Sequence, residues 1–144
     1  MDRKKNFFKL AQGEYVAAEK LEIIYGNSPF ISQIFVYGNS LESYLVAMIV
    51  ADEGYAKHWA KQHDITDKSY EEIVKLSEFK EAVQEDLARL FKENGLRGFE
   101  RIKKFEITTE AWTSDNGLLT PTFKLKRNAV KAKYEETLNH LYNH

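Results

Sequence analysis

One stretch near the C-terminal end of the chain, Gly117-Leu-Leu-Thr-Pro-Thr-Phe-Lys-Leu-Lys-Arg127, constrains the fold more than any other. Gly117 and Pro121 resist helix formation, because proline fixes φ and pushes the preceding residue toward extended geometry. Three cations follow the proline within a few residues: Lys124, Lys126 and Arg127. The pattern predicts a stiff extended loop that presents a lysine, with a helix behind it.

This lysine loop suits an anionic target, since a compact ammonium group on a long stem can neutralise phosphate or carboxylate charge. A solvated basic surface loop has the same pattern, and the pattern alone favours that interpretation, because single motif matches are often false. RNA binding through residues 124–133 is a third hypothesis. The net charge of −1 argues against it, since nucleic-acid binders are normally strongly basic.

Length and composition limit the class of protein. A chain of 144 residues fits one domain, which can bury roughly 68–70% of its unfolded surface. The absence of cysteine excludes disulfides and thiolate metal sites. No apolar run approaches the ~20 residues of a membrane span, and the charged start at residues 2–5 is no signal peptide. We therefore expect one domain over 1–144, located on the cytoplasmic side of any membrane with which the full-length protein associates.

The periodicity of the apolar residues predicts an α+β fold. We expect a sheet of about three mainly antiparallel strands flanked by helices, with an N-terminal two-stranded ribbon around Gly13. The expected strands cover residues 30–37, 44–50 and 99–108, and the second should be buried on both faces. The expected helices cover 17–25, 52–63, 69–76 and 78–94, with one final helix carrying Val130, Tyr134, Leu138 and Leu141.

Residues typical of metal or nucleophilic chemistry are poorly placed for either. His58 and His63 lie five positions apart and do not share a helix face, whereas His140 and His144 lie at the chain end without an obvious third ligand. We expect solvated histidines and no metal site. Neither a Gly-x-Ser-x-Gly nucleophile motif nor a phosphate-binding glycine loop is present, because the seven glycines are scattered singly.

Two stretches together resemble the C-terminal domain of long-chain acyl-CoA synthetases, which are members of the adenylate-forming superfamily. Gly117–Arg127 is similar to the Thr-Pro-Thr-Gly-Lys-(Ile/Leu)-x-Arg element, and residues 2–20 are similar to the end of the fatty-acyl-CoA synthetase signature and the segment after it. Ala18 stands where the family usually has proline. Phe123 replaces the glycine of the wider superfamily, as is common in the long-chain branch.

The resemblance implies a two-step ligase that uses ATP with Mg²⁺ and coenzyme A. In that family Lys124 would be the catalytic lysine for forming the acyl-adenylate, and Lys9 and Gly13 would line the coenzyme A channel. Arg3 would contact the nucleotide ribose, and Lys5 would be the hinge between two domain orientations. The large N-terminal adenylation domain, which would bind most of the ATP, Mg²⁺ and fatty acid, is expected to lie outside this chain, so that the chain alone would be inactive.

A freestanding binding or regulatory module with the same fold is the alternative hypothesis. It is disfavoured because such a module needs neither the lysine of a complete loop nor the lysine and glycine of the ribbon. An adenylation core encoded directly upstream would decide between the two.

Overall fold

The computed structural model describes residues 7–142. The strands are β1 (Phe7–Lys9), β2 (Tyr15–Ala17), β3 (Ile31–Tyr37), β4 (Leu45–Ala51) and β5 (Ile102–Thr108). The helices are α1 (Ala18–Tyr25), α2 (Glu53–Gln62), α3 (Tyr70–Ile73), α4 (Ser77–Glu93), α5 (Arg127–Lys133) and α6 (Glu135–Tyr142), and a one-turn 3-10 helix spans Gly98–Glu100. The α+β class and the N-terminal ribbon are confirmed.

The main sheet has three strands in the order β3-β4-β5. β3 and β4 are antiparallel, as predicted, but β4 and β5 are parallel, so the sheet is mixed rather than mainly antiparallel. The physical reason is the long connection through α2, α3 and α4, since parallel strands need a crossover of a dozen or more residues. A short turn joins only the antiparallel pair.

The central strand β4 is buried at every position from Leu45 to Ala51. Successive side chains of a strand point to opposite faces, and here they enter two separate clusters. Leu45, Ala47 and Ile49 pack with helices α1 to α4 on one face. On the other face, α5, α6 and the loop that follows β5 cover the sheet. Both faces are therefore closed, as the unbroken apolar run predicts.

The last helix differs from its prediction. Val130, Tyr134, Leu138 and Leu141 are buried on one face as expected, but the backbone breaks at Tyr134 and gives two helices instead of one. The third strand also begins at Ile102 rather than near residue 99, because the 3-10 turn occupies the preceding residues.

Polar side chains fix the starts of two of the predicted helices. Asp52 accepts a hydrogen bond from the backbone of Tyr55 (2.9 Å) at the start of α2. Ser69 and Glu72 form the predicted capping box before α3. Among the described helices, none is both long and apolar enough to span a membrane.

Candidate active site

Lys124 lies at the end of a small hairpin loop, here called the lysine hairpin (residues 119–125). Leu119 and Leu125 form an antiparallel bridge at its base. The N–H of Thr120 donates to the carbonyl of Lys124 (2.8 Å), and the N–H of Phe123 donates to the carbonyl of Thr120 (2.9 Å). This is the pattern of a three-residue hairpin loop whose last residue is left-handed. The sequence-predicted stiff loop is therefore a closed hairpin.

Phe123 takes that left-handed position, with φ of +65°. The conformation costs a residue with a side chain about 1–2 kcal/mol, whereas glycine adopts it freely. The ring is 77% exposed, so packing within this chain compensates for little of the strain. Phe123 thus keeps the backbone shape that the superfamily's glycine would provide, at an energetic cost.

Side-chain bonds tighten the lysine hairpin from inside. The hydroxyl of Thr120 accepts the backbone N–H of Lys124 (3.1 Å) and lies 3.0 Å from the hydroxyl of Thr122. Pro121 separates the two threonines and restricts the turn further. The backbone of Lys124 is consequently held by Thr120 on both its N–H and its C=O sides.

The lysine hairpin forms one wall of a cleft of about 560 Å³, whose other walls are α1 and β3. Lys124 lines this cleft and is exposed. Within residues 7–142, its ammonium group has no hydrogen-bond or ion-pair partner. A cation that is held by its backbone and left without a counter-ion in the described part of the chain can pair with an anionic ligand.

A second cation of the motif, Arg127, is engaged inside the protein. Its Nη1 lies 2.9 and 2.8 Å from the two carboxylate oxygens of Glu22, and its Nη2 donates to the carbonyl of Val36 (2.6 Å). The guanidinium also lies over the ring of Phe35, 4.7 Å from its centroid. Burial raises the pKa of Glu22, although Arg127 and the N–H of Val36 act in the opposite direction. Arg127 therefore serves to anchor the loop.

Gln33 anchors the start of the same loop region. Its side-chain N–H donates to the carbonyl of Trp112 (2.9 Å), and its side-chain oxygen accepts the N–H of Trp112 (2.7 Å). The indole of Trp112, which is 2% exposed, donates to the hydroxyl of Tyr134 (2.8 Å). The loop that leads to the lysine hairpin is thus fixed to both β3 and the break between α5 and α6.

The ribbon that carries Lys9 and Gly13 repeats the geometry of the lysine hairpin. The N–H of Leu10 donates to the carbonyl of Glu14 (2.8 Å), and the N–H of Gly13 donates to the carbonyl of Leu10 (2.9 Å). Gly13 has φ of +96°, and an added Cβ would meet nothing within 4 Å. Backbone conformation, not packing within the described chain, is what requires glycine here. The ammonium of Lys9 lies 5.8 Å from the centroid of the Tyr15 ring.

The predicted site residues do not form one cluster. Lys124 lines the cleft, whereas Lys9 and Gly13 lie on the ribbon, outside the cleft lining. Arg3 and Lys5 lie outside the described residues, so their roles remain predictions. Among residues 7–142, no group of three or more histidine, aspartate or glutamate side chains is arranged to hold a metal ion.

Sequence reasoning missed the anchoring residues Glu22, Gln33 and Trp112. A signal existed for the latter two. Gln33 is a polar residue inside an apolar strand, and Trp112 is a large aromatic residue inside a polar loop. Glu22 gave no such signal, because a glutamate in an amphipathic helix is ordinarily solvated.

The sequence of the chain was compared with protein families and with curated proteins. No family model matches the chain. Long-chain-fatty-acid–CoA ligase 1 of Homo sapiens is 42% identical over 143 residues, and peroxisomal long chain acyl-CoA synthetase 6 of Arabidopsis thaliana is 43% identical over 142. Each match covers 99% of this chain and 20% of the relative, so the chain spans about a fifth of the length of these curated relatives.

A solved structure shows the same fold. The adenylation domain of a carboxylate reductase from Mycobacterium chelonae superposes with a TM-score of 0.82 at 38% identity, covering 97% of this chain and 20% of that one. Sequence identity over nearly the whole chain and a shared fold lead to the same conclusion. Over 99% of its length the chain is similar to the C-terminal part of long-chain fatty acid–CoA ligases, and its fold matches the small C-terminal domain of adenylate-forming enzymes.

Proposed function

We propose that the chain acts as the C-terminal domain of an ATP-dependent, AMP-forming long-chain fatty acid–CoA ligase and supplies its catalytic lysine, Lys124. The observation that carries the proposal is the lysine hairpin. It holds an exposed ammonium at a cleft, without an ion-pair partner among the described residues. The names of the curated relatives, which are long-chain fatty acid–CoA ligases, support the choice of reaction.

In the first step, a carboxylate oxygen of the fatty acid forms a bond to the α-phosphorus of ATP, and the bond from that phosphorus to pyrophosphate breaks. Negative charge is then spread over the oxygens around the reacting phosphorus. The ammonium of Lys124 stabilises this charge, and a preorganised donor of this kind contributes roughly 3–4 kcal/mol. The hairpin bonds to Thr120 fix the backbone of Lys124 before the substrates arrive.

In the second step, the sulfur of coenzyme A attacks the acyl carbonyl, the bond to AMP breaks, and the thiol proton leaves to AMP or solvent. We assign Lys9 and Gly13 to the coenzyme A channel. Lys9 and Gly13 lie on the ribbon, outside the lining of the cleft that contains Lys124, and this separation supports a different docking orientation for each step. A rotation of this domain against the large adenylation domain, with Lys5 as hinge and Arg3 near the ribose, would present each surface in turn.

ATP, Mg²⁺ and the fatty acid would be bound mainly by that large domain, which is the proposed partner of this chain. The described residues fit this division of labour, since the cleft they form offers Lys124 to an anionic ligand, while Arg127, the other cation of its lining, is paired with Glu22.

The test compares the full-length ligase that carries this chain with the isolated 144-residue chain. The full-length protein should release pyrophosphate only when a fatty acid is present and should form acyl-CoA when coenzyme A is added. The isolated chain should unfold cooperatively and release no pyrophosphate. Turnover by the isolated chain, or a full-length protein inactive with every long-chain fatty acid tried, would refute the proposal.

A further inference from the structure

We propose that Glu22 and Gln33 are positioning residues for Lys124, because they fasten the two ends of the lysine-bearing segment (residues 112–127) to the outer edge of β3. This inference rests on the proposed function of Lys124. It adds two residues that also line the cleft but whose polar side-chain atoms are bonded within the protein, Glu22 to Arg127 and Val36, and Gln33 to Trp112.

The first fastening is at the C-terminal end of the segment, where Arg127 lies three residues after Lys124. The Glu22 carboxylate accepts from Arg127 and from the N–H of Val36 (2.8 Å), while Arg127 donates to the carbonyl of Val36. Together the two side chains satisfy both backbone groups of one β3 residue, as a neighbouring strand would. The side chain of Glu22 is only 10% exposed and that of Arg127 only 17%, which makes these charge-assisted bonds strong.

The second fastening is at the N-terminal end of the segment. The amide of Gln33 makes a reciprocal pair of bonds with the backbone of Trp112, so that the loop leaves the sheet at a fixed point. Gln33 and Val36 belong to the same strand. Residues 112–127 are thus held at both ends along β3, and the lysine hairpin lies between the two fastenings.

No described residue bonds the side chain of Lys124, so the fastenings act on this lysine only through the backbone. The position of its backbone is set by the hairpin bonds to Thr120, by the bridge between Leu119 and Leu125 at the base of the hairpin, and by the two ends of the segment. A displacement of about 1 Å in a catalytic group can lower the rate about a hundredfold. Loosening either end should therefore reduce adenylation even though the lysine itself is unchanged.

The experiment uses Glu22→Gln and Gln33→Ala in the full-length ligase. Glu22→Gln keeps an acceptor for the N–H of Val36 but loses the charge that holds Arg127. Gln33→Ala removes both bonds to Trp112. Each should lower the kcat of adenylation about tenfold or more with little change in the KM for ATP, and should leave thioester formation from supplied acyl-adenylate unchanged. Glu85→Gln and Gln84→Ala, both on the exposed face of α4, are the matched controls and should change neither half-reaction.

A double-mutant cycle separates positioning from a general loss of folding. If Glu22 and Gln33 act through Lys124, then adding either substitution to Lys124→Ala should cause no further loss of adenylation. Backbone amide exchange at Phe123 and Lys124 should also accelerate in both variants, while exchange in β4 stays slow. Equal losses in both half-reactions, additive losses in the Lys124→Ala background, or unchanged exchange at Phe123 and Lys124 would each overturn the positioning role.

The cycle also distinguishes this inference from the function on which it rests. If Lys124→Ala leaves adenylation intact, the assignment of Lys124 fails whatever the two variants do. If Lys124→Ala abolishes adenylation while Glu22→Gln and Gln33→Ala remain fully active, only the positioning role fails.

Discussion

The guanidinium of Arg127 and the carboxylate of Glu22 are joined by bonds of 2.8 and 2.9 Å, although 105 residues separate them in the chain. The pair connects the first helix to the segment that follows the lysine hairpin. Two of the three cations of the motif therefore have different roles. Arg127 is bonded within the protein's own structure, whereas Lys124 is available to a ligand.

Replacing Lys124 by alanine in the full-length ligase should cut adenylate formation about a hundredfold or more, because a preorganised positive charge is lost at the reacting phosphorus. Lys124→Arg should recover little of this, since a broad planar group replaces a point charge. The measurement is fatty-acid-dependent pyrophosphate exchange, with thioester formation from supplied acyl-adenylate as the control that should survive. A uniform loss in both half-reactions would make the lysine's role structural.

Phe123→Gly should raise the free energy of unfolding of this chain by about 0.5–1 kcal/mol, because relief of the left-handed strain outweighs the added freedom of the unfolded glycine. Gly13→Ala, in the same type of loop, should lower it by about 1–2 kcal/mol. Urea denaturation with an unchanged slope measures both. Thr122→Gly, at a neighbouring exposed residue outside the left-handed region, should be destabilising; if it stabilised as much as Phe123→Gly, strain would not be the cause.

The buried carboxyl of Glu22 should make stability fall as pH rises. Its pKa in the folded protein is raised above the ordinary 4.5, chiefly by burial. Between pH 4.5 and the raised pKa, the folded state keeps a proton that the unfolded state releases, so the free energy of unfolding decreases with pH and levels off above the folded pKa. The amount by which the free energy of unfolding of the wild type exceeds that of Glu22→Gln should therefore decline as the pH rises from 4.5 to the raised pKa.

Glu72 is a control for that titration, because its pKa is shifted in the opposite direction from that of Glu22. Its hydrogen bonds in the capping box with Ser69 hold the pKa of this carboxyl below its ordinary value. Its contribution should therefore be present above about pH 4.5 and disappear as the pH falls. Parallel behaviour of Glu22→Gln and Glu72→Gln across this pH range would contradict the assigned directions.

Lys9→Ala should raise the KM for coenzyme A severalfold in thioester formation and leave adenylation unchanged, since the ribbon lies outside the cleft of Lys124. Tyr15→Phe should have little effect on either step, because the ring over which the Lys9 ammonium lies would remain. A loss of adenylation in Lys9→Ala would place both lysines in the same half-reaction.

Lys5→Pro in the full-length ligase should uncouple the two half-reactions, because proline fixes φ near −65° and removes a rotational freedom at the proposed hinge. We expect adenylation to survive and thioester formation to fall strongly. Separate assays of pyrophosphate exchange and of thioester formation decide the matter. Mild, equal losses would place the rotation elsewhere in the domain junction.

The elements of the fold were predictable from local pattern, whereas the anchoring of the site was not. The buried run of β4 and the capping box at Ser69 are both encoded within a few residues of sequence. The parallel pairing of β5 depends on a long crossover, which periodicity does not register. The bond between Glu22 and Arg127 depends on two side chains meeting only after the whole sheet and its flanking elements have assembled.

β3 is an outer strand of the sheet, and an outer strand offers its free backbone groups to strands of other molecules, which is a common route to aggregation. At Val36 those groups are already taken by Glu22 and Arg127, and the Gln33 side chain binds the Trp112 backbone beside them. A fourth strand from a second molecule would first have to displace the half-buried ion pair of Glu22 and Arg127. The arrangement that holds the lysine hairpin thus also opposes edge-to-edge association through this part of β3.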